Sequence, residues 1–269
     1  MLEYIARPPI PALANTVEYV WASRGAPAHA QERVVPTGTL ELFVSLVDGK
    51  RRIHGARGAD WFSGAGVAGA YRRPFTFDTH EDAAVVGVHF RPGQAAAVLG
   101  LPPGELMDRH VDLEALWGRQ ARELRERLCE AATMPERFAI LEAALVARLD
   151  ASRVHPAVTY ALARLGHPDA RVVAIAKQLG LSQRRLIELF TATVGITPKR
   201  FGRVMRFQRA TELAHTTTFD WTRVAHTCGY YDQAHLIRDF HELAEMTPRE
   251  LARTSVHVQE HHQFAVQAP

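Results

Sequence analysis

Along the first hundred residues the apolar side chains recur at every second position, which is the period of a strand. Leu40, Leu42, Val44 and Leu46 take one side of such a run, and Glu41, Phe43, Ser45 and Val47 take the other. Asp48-Gly49 predicts a tight turn from it into Lys50-Arg51-Arg52-Ile53. Val85-Val86-Gly87-Val88-His89-Phe90 is a second apolar run, closed by Arg91-Pro92-Gly93. The section between them is rich in glycine and predicts no definite element.

From Asp112 the period becomes helical. Leu113, Leu116, Trp117, Leu124 and Leu128 share one face of a predicted helix. Pro135 separates it from a second helix carrying Phe138, Leu141, Leu145 and Leu149. A new helix starts at Pro156, carries Val158, Ala161, Leu162 and Leu165, and stops at Gly166, so a domain boundary is expected at residues 152–155. Asp169 and Ser182 are expected to cap helices over 172–179 and 183–194. Pro198 then opens a long helix to Ala214, with Phe201, Met205, Ala210 and Leu213 available for its buried side.

One short pattern occurs twice in this helical half. Ala176-Lys177-Gln178-Leu179-Gly180 is followed by Leu186, Phe190 and Thr197-Pro198. Ala225-His226-Thr227-Cys228-Gly229 is followed by Leu236, Phe240 and Thr247-Pro248. The offset is 49 up to the glycine and 50 beyond it, so the second copy has one extra residue in its turn. A small Ala lets two helices cross closely and a Gly admits the positive φ of a tight turn, the pattern of a helix-turn-helix. Two such units point to a DNA reader.

Composition fits this reading. The chain has 269 residues, enough for two domains, and is 47% hydrophobic and 23% charged. It shows neither a membrane span nor a signal peptide, so the cytoplasm is the expected location. Cys129 and Cys228 are expected to be small buried hydrophobes rather than a disulfide. Net charge is only +3, but residues 171–209 hold nine Lys/Arg against one acid, whereas residues 210–253 hold four Arg against seven acids. The first unit therefore carries the positive footprint that phosphate contact requires.

In a helix-turn-helix the second helix enters the major groove N-terminus first. With Leu186, Leu189 and Phe190 facing the core, Gln183, Arg184, Ile187 and Glu188 are left outward, behind the Ser182 cap. Arg184 is the best candidate for a bidentate contact to guanine, and Gln183 and Arg185 can reach bases or phosphates. Glu188 either accepts from a cytosine amino group or orients Arg184 or Arg185. Lys199 and Arg203 belong to the basic stripe expected to anchor phosphates. In the second unit Asp232 is the expected cap, Leu236, Phe240 and Leu243 are core, and Gln233, Ala234, His235, Ile237 and Arg238 lie around the exposed side. Gln233 can pair with adenine, His235 with a base or phosphate, and Arg238 with phosphate. Asp239, Glu242 and Glu245 would repel the DNA backbone. The first unit is thus expected to supply most of the affinity, and the second to add modest specificity or to touch a protein partner.

With these residues in place the region 156–253 resembles the AraC/XylS family of bacterial transcription regulators. The paired Ala-x-x-x-Gly turns, Arg206-Phe207-Gln208-Arg209-Ala210, and Gly229-Tyr230-Tyr231-Asp232-Gln233-Ala234-His235-Leu236-Ile237-Arg238-Asp239-Phe240 leading to Thr247-Pro248 carry the resemblance. It implies two helix-turn-helix subdomains joined by a long helix, preceded by a sensing or dimerisation domain. Many members hold a basic or amide residue where this chain has Ile187-Glu188, so the base preference of the first helix does not transfer. Arg33-Val34-Val35-Pro36-Thr37-Gly38 before Leu40-Glu41-Leu42, and Gly87-Val88-His89-Phe90-Arg91-Pro92-Gly93, resemble the regulatory part of one group of such proteins and name no ligand.

The expected class is α+β. An N-terminal mixed β/α domain, 1–152, is β-rich over 1–95 and helical over 112–150. An all-α domain, 155–253, holds two helix-turn-helix subdomains and a long linker helix, and a tail, 254–269, is expected to be disordered with His257, His261 and His262 in it. The expected function is sequence-specific transcription regulation without catalysis, metal or cofactor. Double-stranded DNA is the expected partner, and RNA polymerase, a small-molecule effector and a second copy are further candidates. Glu41, His54, His89 and Arg91 are the candidate effector contacts.

Gly64-Ala65-Gly66-Val67-Ala68-Gly69 has the G-x-G-x-x-G spacing, but Pro74 and the lack of an acid about twenty residues on argue for a turn. His54, His80 and His89 lack paired metal-ligand spacing. Two rivals stand beside the main reading: a small-molecule enzyme fused to a DNA-targeting module, and an architectural DNA binder without sequence preference.

Overall fold

The computed structural model describes residues 3–25, 30–55, 58–79, 83–167, 170–216, 220–253 and 263–265. Its strands are β1 (Glu3–Arg7), β2 (Val17–Gly25), β3 (Gln31–Val34), β4 (Glu41–Ser45), β5 (Lys50–Gly55), β6 (Gly58–Ser63), β7 (Ala65–Ala68), β8 (Phe75–Asp78), β9 (Ala83–Phe90), β10 (His110–Asp112) and β11 (Gln263–Ala265). They form two antiparallel sheets, ordered β1-β2-β9-β4-β7-β10 and β11-β3-β8-β5-β6.

The alternation over residues 40–47 makes β4 as expected, but the turn after it does not build a hairpin. β4 pairs with β7 and β9, whereas β5 pairs with β6 and β8 in the other sheet. Asp48-Gly49 therefore carries the chain between layers. The glycine-rich section holds β6 and β7, with Gly64 (φ +82°) as the turn between them. No helix opens there: of the G-x-G-x-x-G spacing, Gly64 is the turn, residues 65–68 are β7, and Gly69 lies just past the strand. Within the expected disordered tail, Gln263–Ala265 instead adds an edge strand to β3. His257, His261 and His262 lie outside the described residues.

The helices are α1 (Ala96–Leu99), α2 (Leu113–Trp117), α3 (Arg119–Glu130), α4 (Met134–Arg148), α5 (Pro156–Leu165), α6 (Val172–Gln178), α7 (Gln183–Val194), α8 (Pro198–Thr216), α9 (Trp221–Thr227), α10 (Gln233–Ala244) and α11 (Pro248–Arg253). The single helix expected from Asp112 is broken into α2 and α3 by Gly118, whose φ of 57° and ψ of −136° no helix accommodates. Pro135 lies in the first turn of α4, behind a capping box made by Thr133 and Glu136. Cys228 is buried, but Cys129 is exposed, contrary to expectation, because its position on α3 turns away from Leu124 and Leu128.

One face of the six-stranded sheet supplies Val20, Ala22, Leu42, Val44, Val67, Val86 and Val88 to the main core. That core continues through Leu113, Leu124, Leu128, Leu141 and Leu145 into Val158, Phe190, Phe201 and Phe207 of the helical half. The boundary expected at residues 152–155 would fall where α5 begins, with the His155 imidazole accepting from the Ala157 amide, yet no gap in the described core coincides with it. The two halves approach so closely that side chains are excluded. A Cβ on Gly104 would lie 2.8 Å from the Thr191 carbonyl oxygen, and one on Gly195 (φ +95°) would lie 2.9 Å from Ala70 Cβ. Gln208 Nε2 donates to the Pro36 carbonyl at 2.5 Å, and Arg33 reaches both the Ala244 carbonyl and the Glu245 carboxylate at 3.2 Å.

Candidate nucleic-acid interface

The first unit is α6 and α7. Ala176 is buried in their crossing, Gly180 takes φ +66°, and the Leu181 amide closes the turn on the Ala176 carbonyl at 3.0 Å. Asp169 lies outside the described residues, and Arg171 occupies the N-cap of α6. Ser182 caps α7 by accepting from the Arg185 amide at 3.1 Å. Leu186, Phe190 and Val194 are buried, Leu189 packs at the core edge, and Ile187 is half-buried. Gln183, Arg184, Arg185 and Glu188 are exposed along the N-terminal half of the helix.

Glu188 sits between the two arginines, 2.9 Å from Arg184 Nε and 3.7 Å from Arg185 Nη1. The hydrogen bond with Glu188 raises the Arg184 pKa, and the same bond lowers that of Glu188. The Arg184 side chain nevertheless remains 90% exposed. A carboxylate on Nε leaves the other edge of the fork for a second acceptor.

The second unit, α9 and α10, repeats the geometry. Ala225 is buried, Gly229 takes φ +78°, and the Tyr230 amide closes on the Ala225 carbonyl at 2.9 Å. Asp232 caps α10 through the His235 amide at 2.7 Å. Leu236, Phe240 and Leu243 are fully buried; Gln233, Ala234 and Arg238 are exposed, and Arg238 Nε bonds the Ala234 carbonyl at 3.3 Å. Ile237 and His235 depart from the expected exposed set. Ile237 packs at the core edge, and the His235 ring stands edge-on to Tyr230 with centroids 5.2 Å apart.

The linker helix α8 overturns the expected role of Arg203. Its guanidinium lies 2.6 Å from Asp239 and 2.5 Å from Glu242, and Arg200 also binds Glu242 at 2.5 Å. Burial opposes the charge on Arg203, but the two carboxylates outweigh it and keep its pKa above the ordinary value. Asp239 and Glu242 are thus neutralised inside the protein rather than set against DNA. Arg206 lies over the Tyr230 ring at 5.7 Å, and Arg209 donates to the Gly166 carbonyl. Much of the basic run on α8 therefore holds the fold together. Arg171, Lys177, Arg184, Arg185 and Lys199 remain exposed in the first half of the repeat, and Arg223, Arg238 and Arg249 in the second. The two units differ less in available charge than the sequence implies.

Of the candidate effector contacts, Glu41 and His89 are register partners on β4 and β9. Although part of Glu41 reaches solvent, its carboxyl is enclosed: burial drives it up to about 8, opposed by a hydrogen bond from Trp21. His54 is elsewhere, in the second sheet, paired with Asp78 at 3.0 Å. Arg91 is exposed and donates to the Ala14 carbonyl at 2.8 Å. His80 lies outside the described residues, and among those described no cluster of His, Cys, Asp and Glu could hold a metal. Sequence reading missed a ring cluster. Phe43, Phe62, Tyr71 and Phe75 surround His110, and burial lowers its pKa to about 3.

These two capped units on one helix define a double helix-turn-helix protein. Residues 175–254 match the family described as a helix-turn-helix domain, and residues 6–112 match a domain of unknown function (DUF6597). The transcriptional activator RhaS of Shigella boydii serotype 18 is 31% identical over 78 residues, 29% of this chain and 28% of RhaS. The chain thus spans little more than a quarter of that relative's length. Apo ToxT of Vibrio cholerae strain SCE256, a single-substitution variant, aligns at TM-score 0.50 and 10% identity over 93% of this chain and 96% of its own, a likeness of fold. An AraC-type regulator from Chromobacterium violaceum is 25% identical, with TM-score 0.34, over 36% of this chain and 89% of its own. The likeness to known regulators at the level of sequence thus lies in the helical half, over the residues of the two units. Among the described residues no helix is long and apolar enough to cross a membrane.

Proposed function

We propose that this protein is a sequence-specific DNA-binding transcription regulator that reads two major-groove segments with α7 and α10. The observation that carries this reading is the presentation of Arg184: exposed, at the N-terminal end of a capped helix, with Glu188 accepting from its Nε. Gln183, Arg185 and Lys199 accompany it on the first unit; Gln233, Ala234 and Arg238, with His235 beside them, serve the second. The 19 residues of α8 span about 28 Å, and with the widths of the flanking units this suits successive groove segments about 34 Å apart.

The N-terminal domain modulates the reader, and the protein acts in the cytoplasm without catalysis. Modulation requires a ligand or contact that favours one domain arrangement over another. The contacts of Arg33 with Glu245 and of Gln208 with Pro36 are those that such a signal would have to alter. RNA polymerase and a second copy of the chain are the further partners of this reading. The test is to map the DNA sites protected by the full-length protein and then to compete that operator against random duplex. A preference of at least ~10³ is expected for a specific reader. A ratio near one would leave an architectural binder instead.

A further inference from the structure

The one-residue offset between the two units can be assigned to a particular side chain. Helices α6 and α9 have seven residues each, and α7 and α10 have twelve each. Leu181 and Tyr230 are equivalent, because each amide closes its turn on the carbonyl of the crossing alanine. Ser182 and Asp232 are equivalent, because each caps the reading helix that follows. In the first unit Leu181 and Ser182 are adjacent, whereas in the second one residue intervenes. The inserted residue is Tyr231.

Among the described residues no hydrogen bond, ion pair or ring contact engages this side chain. Tyr230 supplies the buried ring of the turn at 3% exposure, and Asp232 completes the cap. Tyr231 is 87% exposed, more than any other large apolar side chain described, ahead of Val173 at 61% and Trp61 at 59%. It stands immediately before the reading helix, beside exposed Gln233 and Ala234. A phenol offers a neutral hydroxyl donor and a flat face, which suit a phosphate oxygen and the adjoining sugar.

We propose that Tyr231 is a backbone-positioning residue of the second unit, donating its hydroxyl to a DNA phosphate and laying its ring along the neighbouring deoxyribose. This rests on the DNA-reading function proposed above and adds a contact that the first unit lacks. Because the contact is uncharged and sequence-independent, it sets register and affinity without reading bases or releasing counterions.

The experiment measures full-length wild type, Tyr231→Phe and Tyr231→Ala binding to the mapped operator and to random duplex across a salt series, with Tm recorded for each. Losses of about 5-fold for Phe and about 20-fold for Ala are expected, since hydroxyl and ring each contribute. The factors should be the same on both duplexes, with the salt slope and Tm unchanged. Arg238→Ala, by contrast, should reduce the slope by about one. Wild-type affinity in both variants would overturn the inference, and so would a loss confined to the operator or a lowered Tm. Failure of the wild type to bind either duplex would reject DNA reading itself.

Discussion

Arg203 Nε on the linker helix lies 2.6 Å from Asp239 Oδ1 on the second reading helix, and the Asp239 side chain is 2% exposed. A pair this enclosed ties α10 to α8, so in the proposed reading it sets where the second unit meets DNA. Asp239→Ala is expected to cost about 3 kcal/mol, at the low end for a broken buried pair because Glu242 still answers Arg203. Arg203→Lys should also destabilise, since an ammonium cannot address both carboxylates in a fixed plane. Denaturant unfolding measures the cost. Footprinting of Asp239→Ala should show the first half-site protected and the second weakened.

The same network predicts a pH dependence. Hydrogen bonds from Arg203 and Arg200 pull the Glu242 carboxyl from 4.5 to about 2, against the opposing effect of burial. A carboxylate depressed in the folded state contributes stability that is fully present above pH 4.5 and is lost as pH falls through 2. Unfolding free energy of the wild type should therefore decline over that window, and Glu242→Gln should decline less. Parallel curves for the two proteins would contradict the assignment.

Glu41 and His110 act in opposite directions in the N-terminal domain. Glu41 is raised from 4.5 to about 8, so its contribution is complete below pH 4.5 and is lost as pH rises through 8. His110 is depressed from 6.5 to about 3 and remains neutral when folded, so its contribution is complete above pH 6.5 and is lost as pH falls through 3. Between 4.5 and 6.5 the two slopes cancel. Glu41→Gln should remove the decline above pH 6.5 and uncover a rise between 4.5 and 6.5, read by chemical denaturation at several pH values.

In the proposed reading of DNA by α7, Glu188 sharpens recognition at some expense of affinity. Glu188→Ala removes one negative charge near the phosphates and frees both Arg184 and Arg185. Random duplex should then bind about 3-fold more tightly at low salt, while the operator-to-random ratio falls. Arg184→Ala should reduce operator binding more than Arg238→Ala at fixed salt. Equal losses would show that the two units contribute alike.

The repeat was legible because a helix buries neighbours three and four positions apart, so its core is written locally. Leu186 with Phe190, and Leu236 with Phe240, are such pairs. The sheets were less legible: alternation marks β4 and β5 as strands but does not say that they join different layers. His110 draws its rings from Phe43 through Phe75, a convergence that no spacing announces. One misreading was avoidable. Asp239 falls on the apolar face with Leu236, Phe240 and Leu243, and it occupies the place that Leu189 holds in the first unit. A carboxylate at a core position demands a cation, and Arg203 lies 36 residues earlier.

The close approach of Gly104 to the Thr191 carbonyl, and of Gly93 to Leu162 and Val194, has a bearing on how this molecule can be taken apart. A helical half whose inner surface is shaped to bare backbone of the N-terminal half is not an interchangeable cassette. Grafted behind a foreign sensor, it would meet side chains where it expects none, and Leu162, Val194 and Phe201 would be left facing water. The two halves are therefore expected to work only as a matched pair, each shaped to the other along a seam of glycines.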